Sequence, residues 1–375
     1  MNLAGIYIHI PFCYKKCNYC DYYCHENKSY NIDYFVKVVI NEIKLVADIY
    51  KNKWIFDTIY FGGGSPNLLS CNQLDKILYC IKTNFNVINN FECSIEINPN
   101  EVSYENLNSY IQIGINRLSI GFQSLNKSLL NVITRSHNSK DCFKIYQNAR
   151  KVGFKNINID MLYSIPGQSI NNLLTDLKTI IDIEPDHIAL YPLEIEKNAP
   201  INEQLKSKKK FFKISEELEL LMIKKSNELL TSSHFIQYEI AHYSKFEKEC
   251  KHNLHYWKLE PYLGFGPSSH SYDGIKRWWN ISSTDKYIDT LSKNQLPIQN
   301  FELLNKNQRF NEKIIFGLRT NNGININSID DNNLIKDLKK NLKKWENFLV
   351  FSHNKIQIKS GHYHLADNII FDVLK

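Results

Sequence analysis

The chain has 375 residues, 43% hydrophobic and 23% charged, with a formal net charge of +7. These are ordinary globular values that allow a sizeable core and suggest two or three domains. No apolar run is long enough to span a bilayer, and the N-terminus enters a strand without room for a signal peptide. The expected location is therefore cytoplasmic, and the nine cysteines do not read as a secreted disulfide framework. The positive charge reflects a chain rich in Lys, Asn and Ile, so no nucleic-acid partner is expected. Its dense basic patch, Lys206, Lys208, Lys209 and Lys210, reads as a solvated linker; a transient membrane-surface contact is the weaker alternative.

Strand and helix signals alternate from the start. Residues 5–10 form an apolar run ended by Pro11, and Cys13, Cys17 and Cys20 follow at C-x3-C-x2-C spacing. Residues 32–50 place Ile32, Phe35, Val36, Val39, Ile43 and Val46 at helical spacing, with Asn31 as N-cap. A second strand, 55–61, runs into Gly62-Gly63-Gly64-Ser65-Pro66, and a helix over 73–85 follows. Next come a strand over 93–97, a helix over 104–112, a strand over 117–121 and helical sequence to about Val152. A strand over 156–161, a helix capped by Ser169 and a sixth strand over 187–191 complete the series. Six such units predict an α/β fold: a partial (β/α)6, TIM-like barrel over 1–205, with its chemistry at the C-terminal ends of the strands.

Beyond residue 200 the alternation stops. Residues 206–299 read as a connecting region. A helix there carries Ile214, Leu218, Leu221, Met222 and Leu229 on one face, and an irregular, aromatic-rich stretch runs over 234–279. Residues 300–375 read as a helical, winged-helix-like C-terminal domain. It has a helix bearing Leu334, Leu338, Leu342, Trp345 and Leu349, strand-like pieces near Val350 and over 356–358, and a last helix from Leu365.

Three thiolates on one tight loop can hold three corners of a cubane iron–sulfur cluster and leave the fourth iron open. A zinc ribbon would need a second C-x2-C pair, which the sequence lacks. Cys71, Cys80, Cys93 and Cys142 are scattered singly and read as packed thiols. Three glycines after a strand let backbone approach a ligand closely. A phosphate loop would continue into Gly-Lys-Ser/Thr. Glu96-Ile97-Asn98-Pro99, Gly121-Phe122-Gln123-Ser124 and Asp160-Met161 end three strands and would make one polar rim.

The cysteine spacing, with Tyr14 and Tyr19 inside it, resembles the signature of the radical S-adenosylmethionine (radical SAM) enzymes. So does the glycine run, with Ser65 for the usual Thr. The strand-end residues are similar to the coproporphyrinogen-oxidase-like branch. The resemblance implies a 4Fe–4S cluster on Cys13, Cys17 and Cys20, and SAM held by Tyr7, Tyr19, Gly63, Gly64, Ser65, Glu96, Gln123, Arg135 and Asp160. The glycine turn would bind the amino group of SAM. Arg135 suits the SAM carboxylate, with Arg117 as a competitor.

Two families of this branch are separated by three features. The oxygen-independent coproporphyrinogen III oxidase carries a cysteine two residues after the third cluster cysteine. Here that position is Tyr22, and Cys24 reads as incidental or redox-active. The oxidase has an N-terminal extension, whereas this chain starts four residues before its first strand. Residues 252–257, His-Asn-Leu-His-Tyr-Trp, match the H-N-x-x-Y-W haem-binding motif of the HemW family. Tyr238-Glu239-Ile240, Cys250, Tyr262-Leu263-Gly264-Phe265-Gly266, Gly317-Leu318-Arg319-Thr320 and Leu365-Ala366-Asp367-Asn368 are also similar to it. The resemblance implies a haem chaperone that passes haem to acceptor proteins, respiratory ones among the candidates. His252 is the expected haem ligand, lying in a loop-rich segment that faces the barrel mouth or solvent; His255 stands at a variable position. No catalytic residue is assigned. The alternatives are the oxidase itself, or another radical SAM enzyme such as a methyltransferase.

Overall fold

Strand β1 (Leu3–Ile10) buries Ala4, Ile6, Ile8 and Ile10 and lies inside the sheet, not at its edge. The computed structural model describes residues 2–26, 30–196, 199–207, 215–329, 331–352 and 354–374. The expected alternation follows: α1 (Ile32–Tyr50), β2 (Ile55–Gly63), α2 (Cys71–Asn84), β3 (Val87–Ile97), α3 (Tyr104–Ile113) and β4 (Arg117–Gln123). It continues with α4 (Lys127–Val132), α5 (Ser139–Val152), β5 (Ile157–Tyr163), α6 (Ile170–Asp182) and β6 (His187–Pro192). Strands β1 to β6 pair in sequence order, all parallel. Asn31 caps α1 by accepting from the Tyr34 amide at 3.0 Å, and Ser169 closes a capping box on α6.

After α7 (Pro200–Ser207) and α8 (Glu216–Ser232) the sheet continues. Of the expected α8 face, Met222 is buried, Leu218 and Leu229 pack against the core, Leu221 is exposed, and Ile214 lies outside the described residues. Lys206 falls in α7, while Lys208, Lys209 and Lys210 lie outside the described residues.

The stretch 234–279 is not irregular. It holds β7 (Ile236–Gln237), β8 (His242–Ser244), α9 (Lys251–Trp257), β9 (Tyr262–Phe265), β10 (His270–Tyr272) and β11 (Lys276–Asn280). Then come α10 (Thr284–Ser292) and β12 (Ile298–Leu303). β8 adds antiparallel to β6, while β9 adds parallel to β1 with Gly5 opposite Tyr262 and Ile8 opposite Phe265. The result is one twelve-stranded sheet in the order β12-β11-β10-β9-β1-β2-β3-β4-β5-β6-β8-β7. Strands this short carry too few residues for a period of two to show in the sequence.

A buried carboxylate fastens this second half to the first. Glu42 of α1 accepts from the Gly266 amide at 2.9 Å, Asn280 Nδ2 at 2.5 Å and the Tyr287 hydroxyl at 2.5 Å. Burial raises its carboxyl to about 7, against the pull of those three donors.

The last segment has its own core, with Phe310, Ile314, Leu318, Leu338, Leu342, Ile356 and Ile369 within it. It comprises α11 (Lys306–Leu318), β13 (Ile324–Asn325), α12 (Asn332–Leu342), β14 (Leu349–Phe351), β15 (Lys355–Ile358) and α13 (Ala366–Phe371). Its three strands form a small antiparallel sheet with β15 in the middle. The helix expected to reach Leu349 ends at Leu342; Trp345 lies in a 3-10 turn and Leu349 opens β14. No described helix is long and apolar enough to cross a membrane.

Candidate cluster and cofactor site

The cysteine loop hangs from the end of β1. Its base is closed where Phe12–Cys13 pairs with His25–Glu26. The glycine turn after β2 is stitched to the same place: the Gly64 amide donates to Ile10 O and the Ser65 amide to Phe12 O, both at 2.7 Å. Gly63 has φ +108°, which favours glycine. Arg135 binds three elements together. It donates to Cys17 Sγ at 3.4 Å, Asn98 Oδ1 at 2.7 Å and Gly121 O at 3.1 Å. Arg117 lines the cavity beside the cysteine loop but is not bonded to that loop. It is 2% exposed; burial opposes its charge, and the Glu92 carboxylate nearby favours it.

Cys13, Cys17, Cys20, Tyr19, Gly63, Gly64, Ser65, Glu96, Gln123, Arg135 and Asp160 all line one cavity of about 600 Å³. It lies at the C-terminal ends of the parallel strands. Glu96 accepts from the Tyr60 hydroxyl at 3.0 Å, and burial with the nearby Asp160 raises its carboxyl to about 7. Asp160 accepts from Ser119 Oγ at 3.0 Å and Asn158 Nδ2 at 2.7 Å; burial raises its carboxyl too. Ser65 accepts from Asn98 Nδ2 at 3.0 Å. Tyr7 is not on this wall. Its hydroxyl meets His9 Nδ1 at 3.1 Å, and its ring lines a separate cavity with Tyr22 and Tyr256.

His252 corrects the sequence expectation most. It sits on helix α9, not in a loop, and is 1% exposed. Nδ1 meets Thr58 Oγ1 at 2.8 Å and Nε2 meets the Tyr256 hydroxyl at 2.8 Å, so neither nitrogen is free for an iron. Glu92 accepts from the amides of Lys251 and His252 at 3.2 and 3.1 Å and anchors the start of α9. His252→Ala is therefore expected to destabilise the barrel, because it strands the buried Thr58 hydroxyl at about 1–3 kcal/mol and removes the partner of the partly buried Tyr256 hydroxyl. A thermal melt should show a midpoint several degrees lower; an unchanged midpoint would refute this structural role.

Cys24, expected to be incidental or redox-active, lies within the cysteine nest. It is 6% exposed, and its Sγ lies 3.7 Å from Cys20 Sγ. A hydrogen bond with Cys24 lowers the Cys13 thiol from its usual range, while its contact with Cys20 raises that thiol. Spacing alone concealed this, because the loop folds back on itself. Tyr60, Asn98, Asn158, Tyr191 and His242 line the cavity as well. Tyr191 ends the sixth strand and was open to the same rim argument as Glu96 and Asp160.

Three thiols on one loop, with a guanidinium against one of them and room beside them, suit a cluster with three protein ligands. A parallel half-barrel with this loop and glycine turn at its mouth defines a radical SAM protein, and the model of the radical SAM superfamily matches residues 7–180. That membership implies a 4Fe–4S cluster and SAM; Cys13, Cys17 and Cys20 would hold the cluster, which would supply electron chemistry toward SAM. The chain is 36% identical over 274 residues to the haem chaperone HemW of Buchnera aphidicola subsp. Schizaphis graminum, covering 71% of this chain and 69% of that one. It is 33% identical over 325 residues to that of Bacillus subtilis, covering 86% and 85%. The chain belongs to the HemW family. The coproporphyrinogen III oxidase HemN of Escherichia coli superposes with a TM-score of 0.86 over 99% of this chain and 90% of that one; at 21% identity this shows the shared fold.

Proposed function

We propose that this chain is a haem chaperone that binds haem and passes it to acceptor proteins, with a 4Fe–4S cluster on Cys13, Cys17 and Cys20 and SAM in the barrel-mouth cavity. The observation that carries this reading is kinship along most of the chain to proteins named haem chaperones, 33% identity over 86% of it. The oxidase reading is disfavoured by Tyr22, which stands where that enzyme family has a further cysteine. Cys24 brings a fourth sulfur to the nest by another route, so function has to be separated by assay. Cys13, Cys17 and Cys20 would ligate iron; Ser65, Glu96, Gln123 and Asp160 offer polar groups to SAM on the facing wall. The test is anaerobic reconstitution, followed by titration with ferric haem and incubation with an apo-haem protein. Haem uptake and its transfer are expected. Conversion of coproporphyrinogen III to protoporphyrinogen IX with SAM and reductant would overturn the chaperone reading in favour of the oxidase.

A further inference from the structure

We propose that ferric haem docks in the tyrosine-lined cleft beside the cluster cavity, with His270 as its axial ligand. This rests on the haem-chaperone reading above. The cleft has a volume of about 410 Å³ and is walled by Tyr7, Tyr22, Tyr23, Tyr256 and Tyr262, with the exposed His270 also lining it. It shares Asp21 and Tyr22 with the cluster cavity, but none of the cysteines line it. Tyrosine rings offer a flat macrocycle broad faces to stack on. A cleft of this size encloses only part of a macrocycle, which leaves an edge within reach of an acceptor protein.

Neither ring nitrogen of His270 has a hydrogen-bond partner among the described residues. Its place is nonetheless fixed. Strand pairing sets it opposite Trp279, whose ring stacks on the imidazole at 5.8 Å. The turn before it is pinned as well: Gly266, with φ +98°, packs on β1, and Ser269 Oγ donates to Gly266 O at 2.7 Å. Partial desolvation of the ring and the Arg277 guanidinium hold His270 below the usual histidine value, which favours the neutral imidazole that binds iron. The other histidine of the cleft, His9, is committed: Nδ1 meets the Tyr7 hydroxyl at 3.1 Å and Nε2 meets Tyr23 O at 2.8 Å. His252 contributes without touching iron. Its bond to the Tyr256 hydroxyl sets one wall of the cleft, where Tyr256 meets Tyr262 edge-on at 4.6 Å. Docking forms one Fe–N bond and breaks the iron's bond to a water; no proton or electron moves. Release is the same exchange, with the acceptor's ligand displacing the imidazole.

The experiment is a ferric haem titration of the reconstituted protein, read by visible absorption and by electron paramagnetic resonance for imidazole-ligated iron. The wild type should show that signature. His270→Ala should lose it, with affinity for ferric haem about tenfold weaker or more. Free imidazole added to that variant should restore the signature, which a merely structural role would not allow. Tyr22→Ala, at an exposed part of the wall, should keep the signature with several-fold weaker binding, since one ring face is gone. Thermal melts check that both variants are folded. Equal affinity and an unchanged signature in His270→Ala would overturn this assignment and leave the chaperone reading standing. A wild type that binds no haem would overturn both.

Discussion

Cys17→Ala is expected to lose the cluster outright: iron and sulfide after anaerobic reconstitution should fall to background. Cys17 is held at 3.4 Å by Arg135, and no hydrogen bond ties Cys24 to it among the described contacts. Cys20→Ala should behave differently. Cys24 lies 3.7 Å from the sulfur removed, close enough to stand in, so a small labile cluster should remain. The double variant Cys20→Ala/Cys24→Ala should remove it, and Cys13→Ala should likewise keep only a small labile cluster, because Cys24 also hydrogen-bonds the Cys13 thiol. Cys24→Ala alone should keep full iron content, since three cysteines suffice when the fourth iron is left open. Loss of iron in that single variant would make Cys24 a resident ligand and end the three-cysteine reading.

Gly64→Val should abolish both iron loading and SAM binding. A Cβ there would lie 2.5 Å from Phe12 O and 3.0 Å from Cys13 Sγ, and Phe12 O already accepts from the Ser65 amide. Backbone cannot yield as a flexible side chain can, so the turn and the cysteine loop must part. Gly274→Ala is the control: its φ of +96°, unlike the backbone at Gly64, strains an alanine locally, but nothing lies within 4 Å, and iron and SAM binding should stay at wild-type levels. Iron assay and equilibrium SAM binding measure both. A Gly64→Val protein that loads iron normally would show that the turn and the loop are not coupled.

The parallel half-barrel was legible because each strand signal recurred with a helix signal and each polar rim residue ended a strand. Glu96, Gln123 and Asp160 could thus be placed in one pocket before any contact was known. What the sequence hid is tertiary. Strand β9 has four residues, too few for its pattern to show, and its place beside β1 depends on long-range pairing. His252 looked available because its neighbours are aromatic and polar; only Thr58, nearly two hundred residues earlier, shows that its ring is spoken for. Cys24 failed a spacing rule that assumes a smooth loop, whereas the loop folds back and brings that thiol against Cys20. Tyr191 was in view at the end of a strand, but its hydroxyl's partner His242 lies on a short strand that carried no signal.

The position of β9 has a consequence for how the chain is made. β1 is synthesised before the strand that covers its outer edge, which begins only at Tyr262. Through that interval β1 presents unpaired backbone along one side, which is the kind of edge that recruits stray strands. Pairing over so long a separation is slow to nucleate. The seat for Gly266, where a Cβ would lie 2.4 Å from His9 O, also forms only when that late segment arrives. The cysteine-bearing end of β1 is thus made before the strand that encloses it, and until that strand arrives a loop of thiols hangs beside an unpaired edge.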